Sequence, residues 1–277
     1  AAFDDLPGPG ARDDLSDEDR KRVASVTRRT VQFDKAEPFE AMPGGATTSK
    51  ARFDANAFSH PSANLSFEAR QRFFVGNGLF RKVWVASPSS TAASDGLGPL
   101  YNARSCQRCH LKDGRGHPPA GPDDAAISML VRLSVPPSTE AEAESLASLD
   151  GPRIPEPTYG GQLQDFAVPG LPAEGRIAIA WEEHDVPLSG GEVATLRKPV
   201  LDIVDLADGP LAPGTMTSLR VANPMIGLGL LEAVPAADIL AGADPGDRDG
   251  DGISGRASVV RDRETGDPVL GRFGWKA

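Results

Sequence analysis

The sequence contains little cysteine and no long apolar run, and each shortage excludes a class of protein. Only two of the 277 residues are cysteine, which excludes a framework of several disulfides. No stretch approaches the roughly 20 consecutive apolar residues that a membrane-spanning helix needs. Lys and Arg number 29 against 39 Asp and Glu, and this net charge of -10 argues against nucleic acid or an anionic membrane as a partner. With 39% hydrophobic residues, the chain can still bury a core in one large or two modest domains.

The two cysteines form one compact motif, Cys106-Gln107-Arg108-Cys109, which His110 follows directly. Pairs with this spacing occur in thioredoxin-type redox motifs, in zinc half-sites and at c-type haem attachment sites. Zinc would need a second cysteine pair, which is absent, and no strand-helix-strand pattern surrounds the motif as in thioredoxin. The adjacent histidine therefore favours covalent attachment of one haem c through Cys106 and Cys109, with His110 as an iron ligand.

Covalent haem also carries an expectation about location. Bacteria complete this attachment outside the cytoplasm, and the first residues, Ala1-Ala2-Phe3-Asp4, lack the basic and apolar regions of a signal peptide. We therefore expect a periplasmic protein whose signal peptide has been removed. For such a redox protein the acidic net charge leaves a basic protein partner open.

Helical patterns are predicted on the N-terminal side of the motif. Residues 1–62 form an N-terminal extension with one helix beginning at Ser16, and residues 63–124 form the haem-binding region. In the second region Ser66 can cap a helix with an apolar stripe at helical spacing. Its aromatic members are interpreted chiefly as core, part of which could be the haem edge: Phe67, Phe73, Phe74, Phe80 and Trp84.

Strands are predicted on the C-terminal side. Residues 127–135 alternate between apolar and polar, as in a strand with one buried face, and 176–183 behave similarly. A Ser-Gly-Gly turn at 189–191 predicts a hairpin with the segments that follow it, while residues 140–147 form a short acidic helix. We therefore divide the remainder into a β-rich region, 125–222, and a Gly- and Asp-rich tail, 223–277. The predicted fold class is α+β, with a cytochrome c-like helical haem region, a β-rich insertion and a loop-rich tail.

Several stretches resemble one family along most of the chain. They are GNGLF at 76–80, SMLVRLS at 128–134, YGGQLQD at 159–165, MIGLGLLEA at 225–233, GDGISGR at 250–256 and GRFGWK at 271–276. Together with the CxxCH motif they resemble the bacterial di-haem oxidoreductases, also called thiol oxidoreductases, which are related to di-haem cytochrome c peroxidases. The resemblance extends from about Ser66 to the last residue.

The resemblance implies both an activity and a missing partner. Family members continue beyond the element matching Phe273-Gly274-Trp275-Lys276 into a second haem domain with its own CxxCH, whereas this sequence ends at Ala277. We therefore expect the N-terminal, first-haem part, with the second haem domain or a redox protein as partner. The implied function is reduction of an oxidant such as peroxide, with electrons relayed through haem. The alternatives are a non-enzymatic electron carrier and a haem fragment that needs its other half.

The sixth iron ligand decides between enzyme and carrier. The candidates are His60, His117, His184 and the four methionines, of which Met225, in a Pro-Met-Ile-Gly loop, is the strongest. Ligation by Met225 would close the iron and suit electron transfer, whereas packing of Met225 in the core would leave the iron open to peroxide. Peroxide chemistry also needs an acid or base, for which Glu232 is the candidate.

Two further sets of charged residues are candidate ligands. Arg104, Arg115 and Arg132 could neutralise haem propionates, although each could equally be an ordinary surface charge. Asp247, Asp249 and Asp251 precede Gly252 and the Ile253 carbonyl at the spacing of an EF-hand calcium loop. The twelfth position holds Ser258 rather than glutamate, so Asp244 or Asp262 would have to supply further oxygens. Calcium and a solvated acidic turn are both consistent with this pattern.

Overall fold

A computed structural model describes residues 15–27, 30–37, 40–42, 44–50, 53–121, 124, 127–147 and 153–274. The chain divides into two compact units, residues 1–73 with 226–277 and residues 74–225. Helices and strands occur in both units, in agreement with a mixed α+β class. No helix among the described residues is long and apolar enough to cross a membrane.

The elements follow in chain order. The α-helices are α1 (Asp17–Thr27), α2 (Phe67–Arg81), α3 (Cys106–Cys109), α4 (Glu140–Ala147), α5 (Leu228–Glu232) and α6 (Ala236–Ala241). The strands are β1 (Val85–Ala86), β2 (Asp95–Leu97), β3 (Leu100–Tyr101), β4 (Met129–Ser134), β5 (Phe166–Ala167), β6 (Arg176–Pro187), β7 (Val193–Val204), β8 (Met216–Val221), β9 (Val259–Arg261) and β10 (Pro268–Leu270). Single 3-10 turns occupy Gly45–Thr47, Ala57–Ser59, Ala92–Ser94 and Leu111–Asp113.

Both predicted helix starts are confirmed by their caps. The Ser16 hydroxyl accepts a hydrogen bond from the Asp19 amide (3.1 Å) and donates one to the Asp19 carboxylate (2.7 Å). The Ser66 hydroxyl accepts a hydrogen bond from the Ala69 amide at 3.2 Å, and α2 begins at the next residue. These bonds satisfy amides that the first turn of a helix leaves unpaired. The basic residues Arg28 and Arg29, which follow α1 in the sequence and would suit its C-terminal end, lie outside the described part.

The prediction that the α2 aromatics form a core is wrong for Phe67 and Phe74, whereas Phe73 and Phe80 are half-buried. Phe67 and Phe74 are 72% and 51% exposed, and α2 contains no buried residue. An amphipathic stripe becomes core only where a second layer packs on it. Helical spacing identifies such a stripe, but it does not say whether protein, a ligand or solvent covers it.

The two longest strand ladders of the second unit are antiparallel. β4 pairs with β8 from Met129 opposite Val221 to Ser134 opposite Met216. The predicted alternation along β4 is confirmed, since every second residue is buried. β6 and β7 form the predicted hairpin, in which Gly190 and Gly191 adopt φ values of 92° and 87° at the turn.

The hydrophobic core of this unit lies where the two ladders meet a loop. Its buried members are Val131 and Leu133 from β4 together with Tyr159 and Leu163. Partly buried apolar side chains from the base of the hairpin, from the loop after β7 and from β8 pack against them: Ile177, Leu201, Ile203, Leu206, Leu211 and Leu219. The core therefore anchors the β-rich residues that follow the cysteine motif.

A buried carboxylate lies beside this core. Glu156 is only 1% exposed and accepts hydrogen bonds from the amides of Thr158 (2.7 Å), Tyr159 (2.6 Å) and Ala212 (2.9 Å). Burial alone would raise the pKa of Glu156, but these three donors outweigh it and the pKa lies below its ordinary value of 4.5. The ionised carboxylate therefore joins the 156–160 turn to the loop at 212.

Replacing Glu156 by glutamine is expected to reduce the free energy of unfolding by about 1–3 kcal/mol at neutral pH, because the amide presents NH2 to buried amide donors. A carboxyl with a lowered folded pKa stabilises the fold above its unfolded pKa, and this stabilisation disappears as pH falls through the folded pKa. The difference between wild type and variant should therefore shrink below pH 4.5. Urea titrations at several pH values measure it. The exposed Glu182→Gln is the matched control, and equal effects of the two substitutions would contradict this role.

Candidate functional site

The cysteine motif forms a single helical turn. Helix α3 comprises Cys106–Cys109, and because residues three apart lie on one face of a helix, both thiols project to the same side. Cys106 is exposed and Cys109 is half-buried, and both are free thiols. This arrangement presents two thiols side by side to one flat ligand.

The imidazole of His110 is oriented by the main chain. Its Nδ1 lies 2.6 Å from the carbonyl oxygen of Asn223, a distance at which a protonated Nδ1 donates a hydrogen bond. Metal-binding histidines commonly make such a bond with one nitrogen, which fixes the tautomer and leaves the other nitrogen as the ligand. The Phe80 ring lies 6.1 Å from the His110 ring, tilted by 50°. His110 is therefore arranged to offer Nε2 to a metal ion.

The segment that supplies this carbonyl is bonded to the loop after the motif. The Gly116 amide donates a hydrogen bond to the Ala222 carbonyl (2.9 Å), and the Met225 amide donates one to the Asp113 carbonyl (2.8 Å). A Cβ on Gly116 would lie 2.6 Å from the Ser128 Cβ, so only glycine fits this approach. These contacts hold the whole 222–225 segment, with the Asn223 carbonyl, beside the His110 ring.

The Cys109 thiol lies in a less polar environment than that of Cys106. Its Sγ donates a hydrogen bond to the Ile127 carbonyl at 3.2 Å. Burial raises the pKa of the Cys109 thiol, and the negative charges of Asp165 and Cys106 raise it further. This direction is opposite to that of the low-pKa thiolates that attack disulfides.

A chain of polar side chains leads from this thiol into the β-rich region. Burial raises the pKa of Asp165, whereas a hydrogen bond from the Asn102 amide (2.8 Å) opposes that rise. Asn102 accepts a hydrogen bond from Gln162, whose oxygen accepts one from Arg132 at 2.7 Å. Burial lowers the pKa of Arg132, and neighbouring Arg153 and Arg220 lower it further. The guanidinium of Arg132 is thus directed into this network.

The other two arginines from the sequence prediction are exposed. Arg104 donates a hydrogen bond from Nε to the Trp84 carbonyl at 3.0 Å, and the Trp84 amide donates one back to the Arg104 carbonyl. Arg115 is exposed between the buried residues Gly114 and Gly116. The assignment of these arginines to haem propionates stays a prediction.

The candidates for the sixth ligand differ in their surroundings. His117 and His184 have side chains 54% and 56% exposed, and each lies near a carboxylate. Met225 is half-buried. His60, in the first unit, has a sheltered Nε2 without a hydrogen-bond partner. Glu232 is exposed at the end of α5 in the same unit.

Sequence reasoning missed the main-chain partner of His110 and the polar network beside Cys109. Asn223 acts through its carbonyl oxygen, which every residue carries, so its side chain holds no signal. The proline that follows it restricts Asn223 to extended conformations, which is the only local hint. Asn102 and Gln162 join positions 60 residues apart, a pairing that one sequence cannot reveal.

The acidic loop in the first unit brings together the predicted calcium ligands. Oxygens of Asp247, Asp249 and Asp251 lie within 4.8 Å of one another. Asp244 instead accepts hydrogen bonds from Arg248 and from the Asp249 amide. Asp262 accepts hydrogen bonds from the amides at 264 and 265. The predicted seventh-position residue, Ile253, donates its amide to the Asp251 carboxylate. Calcium binding here stays a prediction.

If this loop binds calcium, a chelator should lower the Tm of the wild type by about 5 °C, because a ligand that binds only the folded state stabilises it. Asp249→Ala should remove this sensitivity, and Asp202→Ala, at an exposed carboxylate on β7, should retain it. Thermal unfolding with and without chelator measures the difference. Identical curves for the wild type under both conditions would exclude a stabilising calcium ion.

Comparison with known proteins places this site in a family. The family model for "Di-haem oxidoreductase, putative peroxidase" matches residues 39–277, which include the CxxCH motif, the Asn223 segment and the acidic loop. No curated protein and no solved structure matches the chain. The match covers most of the sequence and agrees with the resemblance seen in its motifs. The chain therefore belongs to the di-haem oxidoreductase family.

Proposed function

We propose that the chain carries one covalently bound haem c and takes part in peroxide reduction in the periplasm. Cys106 and Cys109 would form the two thioether bonds, and His110 would bind the iron on the proximal side. When bound, the haem supplies an iron centre that exchanges single electrons and can react with peroxide. The observation that carries this proposal is the His110–Asn223 contact of 2.6 Å, which directs the imidazole so that Nε2 could bind the iron.

The residues around the motif fit a flat apolar ligand. Phe80 lies against the His110 ring, while Leu79, Val83 and Leu111 are 59%, 51% and 42% exposed close to the motif in the chain. Large apolar side chains that remain exposed beside a candidate site commonly contact a ligand or another surface. A porphyrin attached through the two thiols would bury part of this apolar surface.

The main-chain contacts argue against Met225 as a second iron ligand. The Asn223 carbonyl approaches Nδ1 of His110, so Nε2 would hold the iron, and the Met225 amide, two residues after Asn223, is bonded to Asp113. A second protein ligand would have to reach the iron from the side opposite His110, whereas these contacts hold residues 222–225 beside the His110 ring. We therefore infer that Met225 would pack behind His110, which favours an iron that peroxide could reach.

The stoichiometry of the reaction requires a second redox centre or repeated electron delivery. Reduction of one hydrogen peroxide to two waters consumes two electrons and two protons, whereas the iron of one haem normally passes one electron at a time. A second haem, as the family description implies, would meet this need. Glu232 remains the candidate proton donor from the sequence. The alternative is an electron carrier in which Met225 fills the sixth position.

The ferric absorption spectrum of the haem-loaded protein tests the proposal. An open or water-bound iron gives a partly or wholly high-spin spectrum that changes on mixing with hydrogen peroxide, and Met225→Ala should leave both results largely unaltered. Met42→Ala is the matched methionine control. A purely low-spin wild type that becomes high-spin and peroxide-reactive only in Met225→Ala would overturn the enzyme and favour the carrier.

A further inference from the structure

The charge around the cysteine motif is opposite in sign to that of the whole chain. Residues 81–116 contain six Lys or Arg and two Asp or Glu, in a protein with a net charge of -10. All of them lie in the second unit. The exposed cations are five: Arg81, Arg104, Arg108, Lys112 and Arg115. We call these five residues, with the half-buried Lys82, the basic collar.

The carboxylates near the collar are less exposed and are engaged within the fold. Asp95 is half-buried and accepts a hydrogen bond from Ser87 (3.4 Å), and half-buried Asp113 accepts one from Asn77 (3.4 Å). Asp165 is half-buried in the polar network beside Cys109. Asp124 lies 4.0 Å from His117. The outward charge beside the motif is therefore mainly positive.

The fold holds members of the collar next to the cysteine turn. Arg108 lies within α3, and Lys112 follows two residues after His110 in a left-handed conformation with φ of 50°. The reciprocal bonds between Trp84 and Arg104 join the end of α2 to the start of the motif. Lys82 Nζ lies 4.6 Å from the centre of the Trp84 ring. Trp84, which is not one of the side chains proposed to contact haem, is 37% exposed among these cations.

The position of Arg108 makes it available to another molecule. In haem the two vinyl groups that cysteines attack lie on the edge opposite the two propionates. Arg108 lies between Cys106 and Cys109 in the sequence, so in a haem attached through these thiols it would lie near the vinyl edge and away from the propionates. The exposed Trp84 surrounded by cations resembles a protein interface, which has an apolar centre and a charged rim. A patch of this size is sufficient for an electron-transfer complex, because such complexes bury a small area.

We propose that the basic collar docks a soluble redox protein with carboxylates around its own cofactor. The proposal deepens the function given above and rests on haem attachment at Cys106 and Cys109. If haem is bound, one electron lost by the reduced partner would be taken up by the ferric iron. The charge of the collar, rather than the net charge of the whole chain, would determine whether the partner's docking surface is acidic or basic. In about 0.15 M salt, charges more than roughly 8 Å apart are largely screened from each other.

The first test measures binding without any turnover. Fluorescein-labelled poly-L-glutamate is titrated into the haem-loaded protein and followed by fluorescence anisotropy. Binding should weaken as salt increases, and Arg108→Glu/Lys112→Glu should weaken it about tenfold or more, as expected for electrostatically steered association. Arg81→Glu/Lys112→Glu should weaken binding similarly, and this variant leaves all five residues from Cys106 to His110 unchanged. The matched control, Arg197→Glu/Lys198→Glu on exposed β7 positions, makes the same change in net charge.

The second test measures electron transfer with small probes of opposite charge. The dithionite-reduced protein is mixed with hexacyanoferrate(III), which takes one electron from the ferrous haem to become hexacyanoferrate(II). The rate of electron transfer to hexacyanoferrate(III) should fall as the salt concentration rises, because salt screens the attraction between this anion and the collar. This is expected although the protein and the anion both carry net negative charge. The rate with the cation tris(phenanthroline)cobalt(III) should rise instead.

Three binding and rate results, and a fourth from sedimentation, would overturn the proposal. The first three are equal poly-L-glutamate binding by collar and control variants, a hexacyanoferrate rate that rises with salt, and tighter binding to phosphatidylglycerol vesicles than to poly-L-glutamate. Salt-sensitive self-association in sedimentation would also overturn it, because a second copy would then cover the collar. A protein without covalent haem that still shows collar-dependent binding would contradict the proposed function and leave the docking surface standing.

Discussion

Replacing both Cys106 and Cys109 by alanine is expected to abolish covalent haem retention. Each thiol can add to one vinyl group of the porphyrin, and the chain has no further cysteine to substitute for them. Each single variant should keep one bond and retain less haem than the wild type. After denaturation and extraction with acid and acetone, haem absorbance should stay with wild-type protein and move entirely into the solvent for the double variant.

The control for this experiment lies beside the motif. Ser105 is buried directly before α3, but its side chain makes no capping hydrogen bond to the helix. Ser105→Ala should therefore retain haem like the wild type. Complete extraction of haem from the wild type would show that attachment is not covalent. Retention by the double variant would show that the bonds lie elsewhere.

Replacing His110 by alanine is expected to leave haem covalently attached but to alter its spectrum and its reaction with peroxide. The thiols are unchanged in this variant, whereas the proximal ligand is lost. Substitution of residues that only support a metal ligand commonly costs 10- to 100-fold in activity or affinity. Loss of the ligand itself should cost at least as much, so we expect the peroxide rate to fall by about 100-fold or more. Added imidazole should restore part of the wild-type spectrum, because it can occupy the space that the side chain leaves.

Asn223→Ala is the matched control for His110→Ala. The bond to His110 uses the Asn223 carbonyl oxygen, which alanine also has, so the spectrum should stay close to that of the wild type. An unchanged spectrum in His110→Ala would mean that another residue binds the iron. Loss of the wild-type spectrum in Asn223→Ala would mean that the asparagine side chain contributes.

Local signals predicted the start of several elements correctly. Ser16 and Ser66 precede helices because a serine hydroxyl can pair an amide that the first turn leaves free. The alternation along β4 appears as three buried residues, since side chains of a strand point to opposite faces in turn. In each case the determining contact lies within a few residues of the signal. The same reasoning failed for Phe67 and Phe74 of α2, because burial depends on a covering layer that lies elsewhere in the chain.

The sequence by itself determined the cysteine motif and the family, and the spacing of the motif favoured haem over zinc or thioredoxin chemistry. These conclusions need only residue types and their spacing, which a single chain displays in full. Only the tertiary structure decided which group orients His110, because the Asn223 carbonyl comes from a residue 113 positions away and carries no side-chain signal. It also decided which charged side chains beside the motif are exposed, because a sequence shows the charge of a residue but not its burial. The net charge of -10 left a basic partner open, whereas the exposed side chains beside α3 present a positive charge.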